Sequence, residues 1–140
     1  ALTDANLVDR LGAVNLHSAL ARVHLRPSML ALELRAEQTP DSSEHIYDDL
    51  TALCRFSFEE TDNIAHLLVR VVDEKRRLLV SMDASRERWP KVREELAPVP
   101  EGETLPASRE AVFERHFFMV HTPPWQDFGE VEAFPPGSMR

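Results

Sequence analysis

The sequence is short of the residues that build disulfides, phosphate loops and membrane spans. It has a single cysteine, Cys54, which excludes an internal disulfide and a multi-cysteine zinc site. Its four glycines are scattered, so no glycine-rich phosphate-binding loop is present. No apolar run approaches the roughly 20 residues that a membrane-spanning helix needs. The chain must therefore be held together by an ordinary hydrophobic core, for which 140 residues are sufficient.

Positive charge is also scarce. Lys and Arg total 16 against 24 Asp and Glu, giving a net charge of −8. Nucleic acids and anionic membrane surfaces both require a surplus of basic residues, so we expect neither as a partner. A protein partner or self-association is expected instead. The composition is typical of a soluble domain and favours the cytoplasm, while an extracytoplasmic location stays open if a segment before Ala1 has been removed.

Signatures of catalysis and metal binding are missing as well. None of the six histidines has the HExxH or HxH spacing that places two ligands on one metal. There is no GxSxG nucleophile motif. Neighbouring carboxylates such as Asp48 and Asp49 diverge on a helix, so they do not form an acid/base pair. We therefore predict no catalytic residue, no metal and no cofactor, and favour a non-enzymatic protein over an enzyme.

The stretch from Asp62 to Ser85 has the clearest structural pattern. Apolar residues alternate with polar ones on both sides of a charged segment, Asp73–Arg77, which predicts a β-hairpin. A second hairpin is predicted around Arg26-Pro27-Ser28, because proline restricts the chain there and alternation resumes after it. Extension of the first helix through Leu20–Leu25 is the alternative.

An amphipathic helix is predicted before each hairpin, the first starting after Thr3 and the second at Ser42 or Ser43. The repeated helix–strand–strand order predicts an α+β fold. Its finer form would be a four-stranded antiparallel sheet with two helices on one face, a ferredoxin-like arrangement in permuted α-β-β-α-β-β order. Four residues are expected to share one core: Leu32, Leu50, Val69 and Val80.

The chain changes character after Ser85. Residues 1–97 are predicted to form the α+β domain, and 98–106 a linker rich in proline and glutamate. Residues 107–140 are predicted to form a C-terminal extension rich in aromatic residues. Phe113, Phe117 and Trp125 carry too much apolar surface to stay in water, so we expect them to pack on the domain, with a second copy as the alternative.

The sheet face opposite the helices holds the candidate binding site. Its predicted residues are Arg22, His24, Arg35, His66, Arg70 and Asp83, accompanied by Glu33 and the aliphatic residues Leu20, Leu68, Val72 and Leu79. An ordinary solvated face with weak ion pairs is one interpretation. The second is a protein contact surface, and the third is a face covered by the C-terminal segment.

The function predicted from these features is a non-catalytic interaction or assembly domain, with a homodimer through the sheet face as one form of it. The alternative is a small-molecule-binding domain or a small enzyme that uses the Arg, His and Asp groups of that face. A deep pocket converging on His66 and Arg70 would favour the alternative, whereas a flat face would favour association.

Overall fold

The computed structural model describes residues 1–96 and 108–128, which form an α+β structure around one mixed, five-stranded sheet. The helix at Ser42–Arg55 continues directly into a π-helical turn at Phe56–Glu60. The helices are α1 (Leu7–Gly12), α2 (Ser42–Arg55), α3 (Trp89–Leu96), α4 (Arg109–His116) and α5 (Pro123–Phe128). The strands, in their order across the sheet, are β1 (Ala19–Arg26), β2 (Met29–Arg35), β3 (His66–Val72), β4 (Leu78–Ser85) and β5 (Phe118–His121).

Both predicted hairpins are present, and residues at their turns explain why they form. The β1–β2 turn places Ser28 at a positive φ of 59° directly after Pro27. In the β3–β4 turn, the Asp73 carboxylate accepts hydrogen bonds from the backbone N–H groups of Lys75 and Arg77 and from the Arg77 Nε. A short polar side chain that binds the following backbone is a common way to fix a tight turn.

The predicted four-stranded antiparallel sheet is wrong in two respects. Strands β2 and β3 are parallel, with Leu32 opposite Val69, because residues 36–65 include a helix that carries the chain back to the end where β2 began. In addition, β5 pairs antiparallel with β4, with Met119 opposite Met82. The sheet is therefore mixed and has five strands, and the ferredoxin-like detail does not hold.

One cluster of buried side chains joins the helices to one face of the sheet. The predicted core residues Leu32, Leu50, Val69 and Val80 all belong to it and are at most 4% exposed, which confirms the assignment of that face. The predicted burial of the C-terminal aromatic residues is also confirmed by their place in the same cluster: Phe113, Phe117 and Trp125.

No helix in the described residues is long and apolar enough to cross a membrane. Ser108 caps α4, as its side chain accepts a hydrogen bond from the Ala111 N–H. The predicted linker at 98–106 lies outside the described residues, as do 107 and 129–140 of the predicted extension. The division into domain, linker and extension therefore stays a prediction.

Candidate functional site

The side of the sheet away from the core is the candidate site, and we call it the open face. Strand register aligns its side chains in rows that cross the sheet. One row runs through Arg22, Glu33, Arg70, Ser81 and Val120. The next runs through His24, Ala31, Leu68, Asp83 and Phe118. A third runs through Arg26, Met29, His66 and Ser85, and Arg35 lies at the other end of β2.

The structure brings all six predicted site residues onto this face, and all six are exposed to solvent. Sequence reasoning missed Arg26, which continues the alternation of Arg22 and His24 but had been assigned to the turn. It also missed Phe118 and Val120, whose side chains are 71% and 39% exposed on β5. The two-residue spacing of Phe118 and Val120 is the signal that would have revealed them.

Three of the four predicted aliphatic residues do not contribute to the open face. The register shifts between Leu20 and Arg22, so Leu20 is paired with the core residue Leu34 and points to the helix side. A second shift leaves Leu79 without a paired residue and completely buried in the core cluster, because the extra residue of a bulge interrupts the alternation of side chains. Val72 is 3% exposed and offers no contact area. Leu68 is the predicted aliphatic residue that remains.

The open face carries more positive than negative charge, although the whole chain is acidic. Four arginines lie on it, against the two carboxylates of Glu33 and Asp83. Within residues 1–96 and 108–128, the contact between oppositely charged residue types on this face places His66 Nδ1 3.8 Å from Asp83 Oδ1, and it is an ion pair only when the histidine is protonated. In the same described ranges, no ion pair or side-chain hydrogen bond engages the four arginines, which are Arg22, Arg26, Arg35 and Arg70.

Arginines elsewhere in the described chain are used differently. Arg77 binds the Asp73 carboxylate at 2.7 Å, and Arg109 binds the carboxylate of Asp48 and the backbone oxygen of Glu44. Arg86 donates to four backbone oxygens. These guanidinium groups have internal partners that stabilise the fold. Arg55, Arg76 and Arg88 also lack a side-chain partner in the described ranges, so the arginines of the open face are distinguished by lying together on one face.

The open face is shallow. A hollow of about 200 Å³ lies above Ala31 between Arg22, His24, Glu33 and Arg70. This volume is below the roughly 300–1,000 Å³ that is usual for ligand pockets. His66 does not line the hollow. The hollow is therefore not the pocket between His66 and Arg70 that would have favoured a small-molecule site.

A larger cavity of about 490 Å³ lies between α2 and the start of α4, beside Ser43, Tyr47 and Glu114. The Tyr47 hydroxyl is 3.1 Å from His121 Nε2. Burial, followed by the negative charges of Glu110 and Glu114, raises the pKa of the Tyr47 phenol. Tyr47 consequently stays neutral at physiological pH and is not a catalytic base in its own right.

The buried thiol and the potential metal ligands of the described chain offer no reactive group. Cys54 is completely buried, and burial raises the pKa of its thiol, so it lacks the thiolate that a nucleophile requires. Within the described ranges, no group of three or more His, Cys, Asp or Glu side chains is arranged to hold a metal ion. The absence of a metal from the whole chain remains a prediction.

Comparison with known protein families, with curated proteins and with solved structures gave no match to this chain. Its function must therefore be argued from the α+β fold and the open face.

Proposed function

We propose that this chain is a non-catalytic interaction domain whose open face binds an acidic segment of a partner protein. The observation that carries the proposal is the set of arginines without internal partners on one face of an acidic molecule: Arg22, Arg26, Arg35 and Arg70.

Guanidinium groups suit this role because their planar donors bind carboxylates in bidentate fashion and are weakly hydrated. Arginine and aromatic residues are also enriched in protein interfaces. Ala31 and Leu68 lie next to each other in the row that runs from His24 to Phe118, and Phe118 adds an exposed ring at the β5 edge. The charged groups would orient the partner and speed its encounter, while the apolar groups would supply contact area.

A homodimer formed face to face is the less favourable form of this proposal. A two-fold interface brings the same patch of both copies together. Four arginines and two carboxylates from each copy would then meet an equal excess of positive charge, which opposes association. The charge of the open face is better matched by an acidic partner of another kind.

The alternative, a small-molecule site, has support from the hollow beside Arg22 and Arg70 and from a second hollow beside Arg35. The first has a volume of about 200 Å³, which makes it a poor enclosure for a ligand of ordinary size. The second has a volume of about 500 Å³, but the carboxylates of Glu37 and Glu74 line it beside its single arginine. The interaction domain is therefore the better supported function.

Binding of a fluorescent deca-glutamate peptide to the full chain tests the proposal, with deca-lysine as the peptide control. The double variant Arg35→Ala/Arg70→Ala should weaken deca-glutamate binding about tenfold, roughly 1.4 kcal/mol. The matched control, Arg55→Ala/Arg88→Ala, removes the same charge from exposed positions off the face and should change binding less than twofold.

Two results would contradict the proposal. If both double variants weakened deca-glutamate binding equally, the peptide would be attracted by positive charge anywhere on the protein and the open face would have no special role. Equal binding of the two peptides would show that the positive charge of the face is irrelevant. Affinity should also fall as salt rises from 50 to 300 mM, because the contacts proposed here are exposed to the solvent and screened by ions.

A further inference from the structure

The outer edge of β1 is the longest strand edge without a partner in the described chain. β1 has eight residues, about 26 Å of extended chain, and lies at the end of the sheet. The opposite edge, β5, has four residues and is followed within three positions by Pro123 and Pro124. A row of free backbone N–H and C=O groups is a template on which another strand can pair.

The two sides of β1 differ in chemistry. Arg22, His24 and Arg26 point to the open face. Val23 and Leu25 point to the helix side and are only half-buried, because no further strand continues the sheet beside them. A strand added at this edge would therefore meet positive charge with every second side chain and aliphatic surface with the others.

The sequence of β1 protects the edge against some partners and leaves it open to others. Charged residues and bulges are common devices against unwanted strand pairing. Here the bulge is confined to Ala21, near the beginning, and the pairing from Arg22 to Arg26 is regular. Two β1 edges placed side by side would bring arginines and histidines of the same face together, which is unfavourable. An acidic strand would meet attraction at the same positions.

From this edge we infer that the partner binds by strand addition. An extended segment in which acidic and apolar residues alternate would become the sixth strand, beside β1. Its carboxylates would lie opposite Arg22, His24 and Arg26, and its apolar side chains would cover Val23 and Leu25. Main-chain hydrogen bonds would give affinity, and the alternation would give specificity. The inference rests on the proposed function, since it specifies how an acidic partner is held.

A ten-residue peptide of alternating glutamate and valine, with blocked ends, provides the direct probe on the full chain. Five glutamates followed by five valines give the control, with the same composition and charge. Strand addition predicts that the alternating peptide binds at least tenfold more tightly. It also predicts slower hydrogen exchange for backbone amides within Ala19–Arg26 when the peptide is bound, because newly paired amides are shielded from water.

Methylation of peptide nitrogens separates strand addition from simple charge attraction. In a strand, successive N–H groups point to opposite edges, so only alternate ones face β1. Methylating that set should weaken binding at least tenfold, whereas methylating the other set should change it less than twofold. Arg22→Ala/Arg26→Ala should weaken the alternating peptide more than Arg70→Ala, since Arg70 lies two strands away from the edge.

The outcomes distinguish failure of this inference from failure of the proposed function. Equal binding of the alternating and block peptides, with no dependence on which nitrogens are methylated, would overturn strand addition. The proposed function would survive that result if Arg35→Ala/Arg70→Ala still weakened deca-glutamate binding. If no acidic peptide bound to the chain, both proposals would be overturned.

Discussion

At the scale of single residues, the Arg86 guanidinium group stands out because it donates four hydrogen bonds to backbone oxygens. It donates to the backbone oxygens of Ser57, Phe58, Thr61 and Ile64 at 2.7–3.0 Å, across the end of the π-helical turn. Terminal carbonyls of a helix have no partner within the helix, and leaving them unpaired is costly when they are sheltered from water.

We therefore expect Arg86→Ala to lower the free energy of unfolding by about 2–4 kcal/mol. Arg86→Lys should restore little of it, because an ammonium group cannot span several carbonyls as a planar guanidinium does. Urea denaturation measures the effect, with the exposed Arg88→Ala as the matched control. Equal midpoints for the Arg86 and Arg88 variants would contradict the prediction.

Asp73 gives a residue-scale prediction about pH. Burial alone would raise the pKa of its carboxyl group, but hydrogen bonds from Arg77 and Lys75 outweigh this effect and lower the pKa below its usual range. A lowered pKa in the folded state means that the carboxylate contributes stability above the unfolded pKa of about 3.9, and that this contribution is lost as the pH falls through the lower folded value.

Asp73→Asn should accordingly destabilise the protein by about 1–2 kcal/mol at pH 7. The difference from wild type should be constant down to about pH 5 and shrink below about pH 4, where the Asp73 carboxylate of the unfolded chain becomes protonated while that of the folded protein is still ionised. Urea denaturation at several pH values measures it, and Glu74→Gln, at an exposed neighbouring position, serves as control. If the stability difference between wild type and Asp73→Asn instead grew as the pH fell, the direction of the Asp73 pKa shift would be wrong.

Residue-scale prediction from the sequence succeeded where alternation was regular and failed at bulges. His66 and Arg70 were placed on the correct face because β3 has a strict two-residue period. Leu20 and Leu79 were placed on the wrong face, because an extra residue in a strand reverses the direction of the side chains. Bulges depend on pairing between strands, which hydrophobic periodicity does not encode.

At the scale of elements, the C-terminal segment offers a matched test of burial. Phe117 is 6% exposed and lies in the core cluster, with its ring 5.5 Å from that of Phe113. The next residue, Phe118, is 71% exposed on the open face. Phe117→Ala should cost about 3–5 kcal/mol, and Phe118→Ala less than about 0.5 kcal/mol. Similar unfolding midpoints for the two variants would mean that β5 is assigned to the wrong register.

The elements that the sequence predicted best were those with strong local signals. The hairpins follow from alternation and from the Pro27 and Asp73 turns, and α2 follows from its apolar stripe. The parallel pairing of β2 with β3 was missed because it depends on where α2 carries the chain. Strand β5 was missed because four residues beside a helix give too short a period to detect.

At the scale of the whole molecule, charge is distributed unevenly. The chain has a net charge of −8, yet its open face has four arginines and two carboxylates. The sequence predicted three of these arginines on one face, because alternate strand positions share a face, and it missed Arg26. The proposed mode of binding could not be predicted from the sequence, because strand order across the sheet decides which strand lies at an edge. Composition alone would have identified only an acidic domain.

At the same scale, residues 1–96 and residues 108–128 should unfold as one cooperative unit. Residues 108–128 contribute β5 to the sheet and Val112, Phe113, Phe117, Trp125 and Phe128 to the core cluster. Ending the chain after Ala97 would remove these contacts and uncover apolar surface on β4 and α2, at about 25 cal/mol per Å². We expect a lower urea midpoint and increased binding of the dye ANS, which reports exposed apolar surface.

A chain that ends after Phe128 is the matched control, because it keeps every described element. It should unfold in a single transition close to that of the full chain. If truncation after Ala97 left both midpoint and ANS fluorescence unchanged, the aromatic segment would not belong to the same cooperative unit. If it instead changed the mass in solution while the midpoint stayed constant, the segment would pack against a second copy and not against its own sheet.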